Sequence, residues 1–322
     1  MSKPAGRGPH RREVALGLAA AAGLAAAPAP LRAQIAGLEV IAAGPPGDGQ
    51  DQLARAIAEG LALTQLTPRA MAINEPREID VFSDFLDGKR PRAALMVFGL
   101  STIGVLHQAR AGGLIDRCRP MCRVLGEHLP LVVPATSKLR DVAQLVEAIR
   151  KDAASVTWAG RMKGSADHML ALRLTRAAGG DVSRLAYTAF GTTAEASNHV
   201  LKGEVTVGVG ALVEFIAQIR GGTLRPLALA SPQRADGLDI PTLKETGIDL
   251  AMLNWRGLVS RDAVGRALID RYGEAIAKVV KTPGWGSLMR QRNWVDLYLP
   301  ENDFAGFIAR EREQAAAVLA GA

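Results

Sequence analysis

Two hydrophobic periods take turns along this chain. Val40-Ile41-Ala42 is a short apolar run, and residues 50–63 follow with Leu53, Ile57 and Leu61 at i, i+4 and i+8, one face of a helix. Met71-Ala72-Ile73 repeats the strand signal, and Ile79, Phe82 and Phe85 mark the stripe of the next helix. The run Ala93-Ala94-Leu95-Met96-Val97-Phe98 is continuous, as in a parallel strand covered on both faces. Strand-like segments at 131–133, 156–158, 185–187, 205–209 and 226–230 are then interleaved with helical patterns at 140–152, 166–178, from 193, and 212–220. The C-terminal part reads as helical at 264–280, 284–291 and 302–319. Strands alternating with helices of this length predict an α/β protein with mainly parallel sheets.

The alternation breaks at two places. Residues 112–130, which hold both cysteines, read as irregular, and Leu250 to Ser260 as extended. Both are expected to cross between lobes. The first lobe is then 36–133 plus 254–322 and the second is 134–253, with a cleft between them. About 288 residues remain beyond the first 34, more than one core usually spans.

Residues 1–34 have the layout of an export signal. Lys3, Arg7, Arg11 and Arg12 precede an Ala/Leu/Gly-rich run from Val14 to Ala27. The Arg11-Arg12 pair suits the twin-arginine route, without the phenylalanine often found after such a pair. The run is short for a membrane span of about 20 residues, and a retained N-terminal anchor is the alternative. Five basic residues and one acidic residue fall in this segment, a net of +4 out of the chain's +7. The remainder is near +3, with scarce and scattered aromatics, which is no footprint for nucleic acid. Cys118 and Cys122 form a C-x-x-x-C pair, read as a local disulfide or two buried thiols; no second Cys/His cluster accompanies them, so no metal site is expected.

Three segments share one design, a strand followed by a small polar loop and a helix start. In Gly44-Pro45-Pro46-Gly47-Asp48-Gly49-Gln50-Asp51, Asp48 stands three residues before Asp51 and suits an N-cap. In Gly164-Ser165-Ala166-Asp167-His168, Ser165 is a natural cap, and in Phe190-Gly191-Thr192-Thr193-Ala194-Glu195, Thr192 and Glu195 have capping-box spacing. In open α/β sheets ligands bind beyond the carboxyl ends of the strands, where all three loops belong. Several helix N-termini facing one cleft favour an anion with more than one charge. Asn254-Trp255-Arg256-Gly257 adds an amide, an indole and a guanidinium at the second crossover, as cleft contacts or as hinge packing with a structural ion pair. Asp167 and His168, as helix neighbours, do not face each other, and no G-x-S-x-G or H-E-x-x-H motif is present. No catalytic residue and no cofactor are assigned.

These residues, in this order, resemble the periplasmic substrate-binding receptors of tripartite tricarboxylate transporters, the Bug receptors. Gly44 to Arg55 is similar to the family's Pro-Gly-Gly-Gly loop with its following Asp and Ala-Arg. Asp167-His168-Met169-Leu170-Ala171 is similar to the start of its second-lobe helix, and Ala189 to Ala196 to its second binding loop. Ser231 to Arg234, Asp239 to Glu245 and Asn254 to Gly257 are similar to the branch that takes citrate-like tricarboxylates. The resemblance implies a two-lobed flytrap fold in the periplasm, acting as a monomer, that encloses a small di- or tricarboxylate and delivers it to a two-component membrane permease without catalysis. The implied ligand-binding residues are Pro46, Gly47, Asp48, Gly49, Gln50 and Asp51; Gly164, Ser165, Asp167 and His168; Phe190, Gly191, Thr192 and Thr193; and Asn254 and Trp255.

Three departures from the family pattern bear on the ligand. Asp48 replaces a glycine in the first loop and places a carboxylate at an anion site, either turned away as a cap or repelling the ligand. Asn74 to Asp80 replaces a Gly-rich segment, and Gly191-Thr192-Thr193 replaces a run of small residues. Citrate is therefore only a candidate. An orphan receptor that signals to a sensor kinase is the alternative function, and a hydrolase using His168 is a third.

Overall fold

The computed structural model describes residues 37–321 except 65, 66, 68, 76, 91 and 92; the expected export signal lies outside the described residues. In chain order, β1 (Leu38–Ala42) leads into α1 (Gly49–Leu63), β2 (Ala70–Asn74) into α2 (Glu78–Leu86), and β3 (Ala93–Gly99) into α3 (Leu100–Gln108). A 3-10 turn at Gly112–Arg117 precedes two consecutive strands, β4 (Cys118–Glu127) and β5 (Pro130–Pro134). Alternation resumes with α4 (Val142–Lys151), β6 (Thr157–Gly160), α5 (Ala166–Ala177), β7 (Ala186–Ala189), α6 (Thr193–Leu201), β8 (Val207–Val209), α7 (Leu212–Arg220) and β9 (Leu224–Leu229). The chain ends with β10 (Asn254–Arg261), α8 (Arg266–Val279), α9 (Pro283–Arg292), β11 (Trp294–Pro300) and α10 (Glu301–Leu319).

Two sheets result, ordered β11-β4-β10-β3-β1-β2 and β7-β6-β8-β5-β9. Each has a parallel core of three strands, β2-β1-β3 in one and β7-β6-β8 in the other. The remaining strands join antiparallel, so the sheets are mixed rather than mainly parallel. Two sequence expectations change with this topology, and a third, the extended stretch, gains its place in it. Residues 118–127 are not irregular but form β4, between β11 and β10 in the first sheet. The extended 250–260 stretch supplies β10, which pairs with both β3 and β4. β5 hydrogen-bonds within the second sheet, so the change of sheet falls at His128-Leu129, before the expected 133/134 boundary.

The cysteines are free thiols, not a disulfide. Both lie on β4 four residues apart, and an extended strand separates such positions by roughly 13 Å. A disulfide needs Cα atoms within about 7 Å. Burial pushes both thiols up to about 12.

The largest core runs without a break from one sheet to the other. Phe82, Phe98 and Ile103 beside the first sheet join Leu131, Trp158 and Leu170 of the second, with Phe304 and Ile308 of α10 packed alongside. Each such fully buried large side chain contributes on the order of 1.5–3 kcal/mol. A second cluster fills the other face of the first sheet, where Leu53, Ile57 and Leu61 of α1 meet Tyr272 and Ile276 of α8. The i, i+4, i+8 stripe read in the sequence is therefore the buried face of α1. Helices from the two sheets also touch directly. Gly104 of α3 and Gly164, just before α5, approach so closely that a Cβ on either would collide with the other's backbone. Beside them, Ala166 N donates to Ser101 Oγ at 3.1 Å.

Candidate functional site

Six helices begin around one cavity between the two sheets. Gly49 and Gln50 of α1, Glu78 of α2, and Ser101 and Thr102 of α3 line it from the first sheet. Arg161 after β6, Ser165 and Asp167 at α5, Thr193 of α6 and Glu214 of α7 line it from the second. Asn254 and Arg256 of β10 close the back. The cavity has a volume of about 40 Å³.

Short polar side chains start these helices as the sequence patterns suggest. Asp48 Oδ1 accepts from Asp51 N at 2.9 Å, and Ser165 Oγ accepts from His168 N at 3.5 Å. Thr192 Oγ1 accepts from Glu195 N at 3.1 Å while Glu195 Oε2 accepts from Gly191 N at 3.1 Å, one residue before the N–H that a capping box would use. The N-cap of α3 is Gly99, which offers no side-chain acceptor, so its first N–H groups remain open to a ligand.

The charges around the cavity are dense. Asp48 Oδ2 meets Arg161 Nη1 at 2.9 Å, an ion pair that joins the first sheet's loop to the second's. Asp48 is thus both cap and ion-pair partner. Arg161 is held further by its own backbone, whose carbonyl accepts from Tyr187 Oη at 2.6 Å and whose N–H donates to Asp167 Oδ2 at 2.9 Å. Arg256 pairs with buried Glu127, which also accepts from Asn254 Nδ2 at 3.1 Å. The Arg256 guanidinium rests on Gly49, where any side chain would collide with it.

Three further carboxyl groups face the cavity with no ion pair among the described residues. Glu78 is buried and accepts from Thr102 Oγ1 at 2.8 Å and Gln50 Nε2 at 3.4 Å; burial raises its pKa above the ordinary range. Burial pushes Asp167 up to about 6 and Glu214 up to about 7.

Of the residues singled out in the sequence, Gly49, Gln50, Ser165, Asp167, Thr193 and Asn254 line the cavity, and Asp48 reaches it through Arg161. The others lie off its wall. Pro46 and Gly47 are exposed at the loop tip. Asp51 accepts from Gly47 N at 2.6 Å and pairs with Arg55 at 2.8 Å. Gly164 abuts Gly104. His168 Nδ1 accepts from Gly164 N at 3.1 Å and its ring sits edge-on to Tyr187; burial lowers it to about 4, so it is neutral at neutral pH. Phe190 packs on His199 with centroids 4.5 Å apart, and Gly191 and Thr192 belong to the α6 cap. Trp255 points to the other face of β10, against Phe98, Phe304 and Phe307, with Nε1 donating to Glu311 Oε2 at 2.6 Å.

Sequence reasoning missed Glu78, Ser101, Thr102, Arg161 and Glu214; the Arg256 guanidinium, read as a cleft contact or a structural ion pair, is both. A signal existed for two of them: Glu78 and Glu214 stand in the first turns of their helices. Arg256 lies two positions from Asn254 on a strand, hence on the same face.

A family model described as "Tripartite tricarboxylate transporter family receptor" matches residues 114–321. The UPF0065 protein in the tcbD-tcbE intergenic region of Pseudomonas sp. (strain P51) is 25% identical over 173 residues, 52% of this chain and 51% of that protein. The chain therefore spans about half the length of that curated relative. A TctC solute-binding protein from Polaromonas, solved without ligand, superposes with a TM-score of 0.69 at 21% identity, over 89% of this chain and 98% of that one. MatC from Rhodopseudomonas palustris, solved with bound malate, gives 0.73 at 18% identity, over 87% and 98%. At these identities the structural likeness establishes the fold, the two-lobed architecture of periplasmic binding proteins.

Proposed function

Because the chain belongs to the tripartite tricarboxylate transporter receptor family, we propose that it is exported to the periplasm, captures a small organic acid in its cleft and hands it to a two-component membrane permease. The observation that carries this reading is the convergence of six helix N-termini on one cavity between two sheets. Their unpaired N–H groups and aligned peptide dipoles favour a carboxylate there, and Arg161 and Arg256 supply donors for it.

The mechanism is a population shift. The two lobes are the two sheets with their helices, joined at His128-Leu129 and by the segment leading into β10. A ligand that touches Gly49 and Ser101 on one side and Ser165 and Thr193 on the other gains full contact only when the lobes meet, so binding favours the shut arrangement. Residues 1–34 are the export signal in this reading.

The test is a calorimetric and thermal-shift screen of mono-, di- and tricarboxylic acids, amino-substituted acids included, on the full chain. A true ligand at a hundred times its Kd adds about 2.7 kcal/mol to stability. No response to any acid in the screen overturns the reading.

A further inference from the structure

Behind the strand that closes the cleft lies a second, larger cavity, about 290 Å³ against about 40 Å³ in front. Arg123 of β4, Met169 and Arg173 of α5, Trp255 of β10, and Phe307 and Glu311 of α10 line it. Three elements serve both cavities. Asn254 and Arg256 face the cleft while Trp255 between them faces the rear, as the alternation of a strand requires. Ser165 and Asp167 at the start of α5 line the cleft, and Met169 and Arg173 further along line the rear cavity. α3 likewise gives Ser101 and Thr102 to the front and Leu100 to the rear. A molecule filling the rear cavity therefore touches α10 from one lobe and α5 from the other.

The charges in this rear cavity do not balance. Its lining carries two guanidiniums and one carboxylate, and apart from Gln314 at the rim the remaining side chains are apolar. Glu311 Oε2 accepts from Trp255 Nε1 at 2.6 Å and forms no ion pair with either arginine. Arg123 Nε donates to Leu297 O at 2.8 Å, and its guanidinium lies 4.3 Å from the centre of the Phe307 ring. Its terminal nitrogens have no acceptor among the described residues, and Arg173 has neither a hydrogen bond nor an ion pair among them. Burial lowers the pKa of both guanidiniums, and attraction to Glu311 only partly offsets it. Half-buried cations with no carboxylate against them are costly, and one positive charge in excess suits one negative charge. Met169, Met252, Trp255 and Phe307 offer the rest of such a molecule a soft apolar surface. The volume is close to the lower end of ligand pockets, roughly 300–1,000 Å³.

We propose that this rear cavity is a second ligand site, for a monoanion with an apolar body, whose occupant bridges α5 and α10 and so favours the shut arrangement of the lobes. The anionic group sits between Arg123 and Arg173, and the body lies against Trp255 and Phe307. The cavity is present in the arrangement that brings Asp48 to Arg161. Coupling between two sites through one such equilibrium is reciprocal, so loosening the front weakens binding at the rear. The site does not depend on what the cleft binds.

The experiment titrates two probes into the full chain at neutral pH: naphthoate, with one carboxylate on a flat apolar body, and naphthalenemethanol, the same body without the charge. Naphthoate should bind about tenfold more tightly than the alcohol, the worth of one charge-assisted contact. Arg173→Met should remove about that factor for naphthoate and leave the alcohol unchanged. Arg123→Met, expected to act alike, keeps the test usable if the first variant fails to fold, and melting curves report folding of both. Asp48→Asn, which frees the lobes at the front, should weaken naphthoate by about threefold or more. No binding of naphthoate, or equal binding of the two probes, overturns the site and leaves the reading of the cleft untouched. Naphthoate that ignores Arg173→Met and tightens in Asp48→Asn lies in the cleft, which overturns the second site while supporting the first. Loss in Arg173→Met with no change in Asp48→Asn overturns the bridging of the lobes.

Discussion

The Asp48–Arg161 ion pair is the contact through which the departing residue of the first loop reaches across the cleft. Its partners sit 2.9 Å apart, with side-chain exposures of 5% for Asp48 and 20% for Arg161. Surface pairs of this kind couple by about 0–1 kcal/mol, whereas breaking a buried pair costs about 3–5 kcal/mol. The pair lies between these limits, so a coupling of about 2 kcal/mol is expected. A double-mutant cycle of Asp48→Asn, Arg161→Met and the double variant isolates this quantity by chemical denaturation. Asparagine is as good an N-cap as aspartate, so the start of α1 survives the first substitution. For a chain of this size, about 2 °C per kcal/mol places the expected loss near 4 °C in Tm. A coupling below about 0.5 kcal/mol would refute the view that the pair holds the two sheets together.

The same variant has a binding consequence of opposite sign. Asp48→Asn leaves the Arg161 guanidinium without its carboxylate at the edge of the cavity. A charge-assisted hydrogen bond to a ligand contributes roughly 1.5–3 kcal/mol, of which part is spent ordering the freed side chain. Succinate should then bind the variant about tenfold more tightly, the equivalent of about 1.4 kcal/mol. Unchanged or weaker binding would mean that Asp48 serves the ligand rather than competing with it.

Three other outcomes follow from the geometry. Gly104→Ala puts a methyl into the backbone of Gly164, so small-angle scattering should show a more extended molecule; an unchanged radius of gyration would count against that contact as the point of closest approach. Asp167 and Glu214 have carboxyl pKa values raised by burial from 3.8 and 4.5 to about 6 and about 7. The folded state then binds more protons than the unfolded one between about pH 4 and 7, so their contribution to stability is complete below that window and is lost as pH rises through it. Tm should drop from pH 5 to 8, and Glu214→Gln should flatten the drop; an unaltered profile would refute the assignment. Both cysteines should stay unalkylated by iodoacetamide in the native state and titrate as two thiols after unfolding without reductant, since burial holds them at about 12; one or no thiol after unfolding would mean a disulfide.

The βα alternation was legible because a parallel strand covered on both faces leaves a continuous apolar run, as Ala93 to Phe98 does in β3. β4 left no such trace. Its ten residues include Arg119, Pro120 and Arg123, and a proline among charges reads as a break rather than as a strand flanked by β10 and β11. β11 was missed for a related reason. As an edge strand it is only partly buried, and Trp294 to Pro300 lies between two helices with nothing to set it off as a separate element. Antiparallel pairing of these strands is set by how the chain crosses between sheets, which local periodicity does not record.

The site was legible only in its scaffolding. Caps announce helix starts one at a time, so α1, α5 and α6 were located, but their meeting with α2, α3 and α7 is a property of topology. Charge was the larger loss. Arg161, Glu214 and Arg256 come from segments far apart in sequence, and nothing near any of them tells which sign of charge it will face. The segment Asn254-Trp255-Arg256 shows where the reasoning went astray. Its amide, indole and guanidinium were taken together, yet a strand alternates its faces, so accepting Asn254 as a cleft residue required Arg256 beside it and sent Trp255 to the opposite side. With Arg256 in the cleft, buried Glu127 becomes its counter-ion, and Asp48 takes Arg161. What remains unmatched is then Glu78, Asp167 and Glu214. The question raised by a carboxylate in the first loop thereby moves from Asp48, which has a partner, to three carboxyl groups that do not.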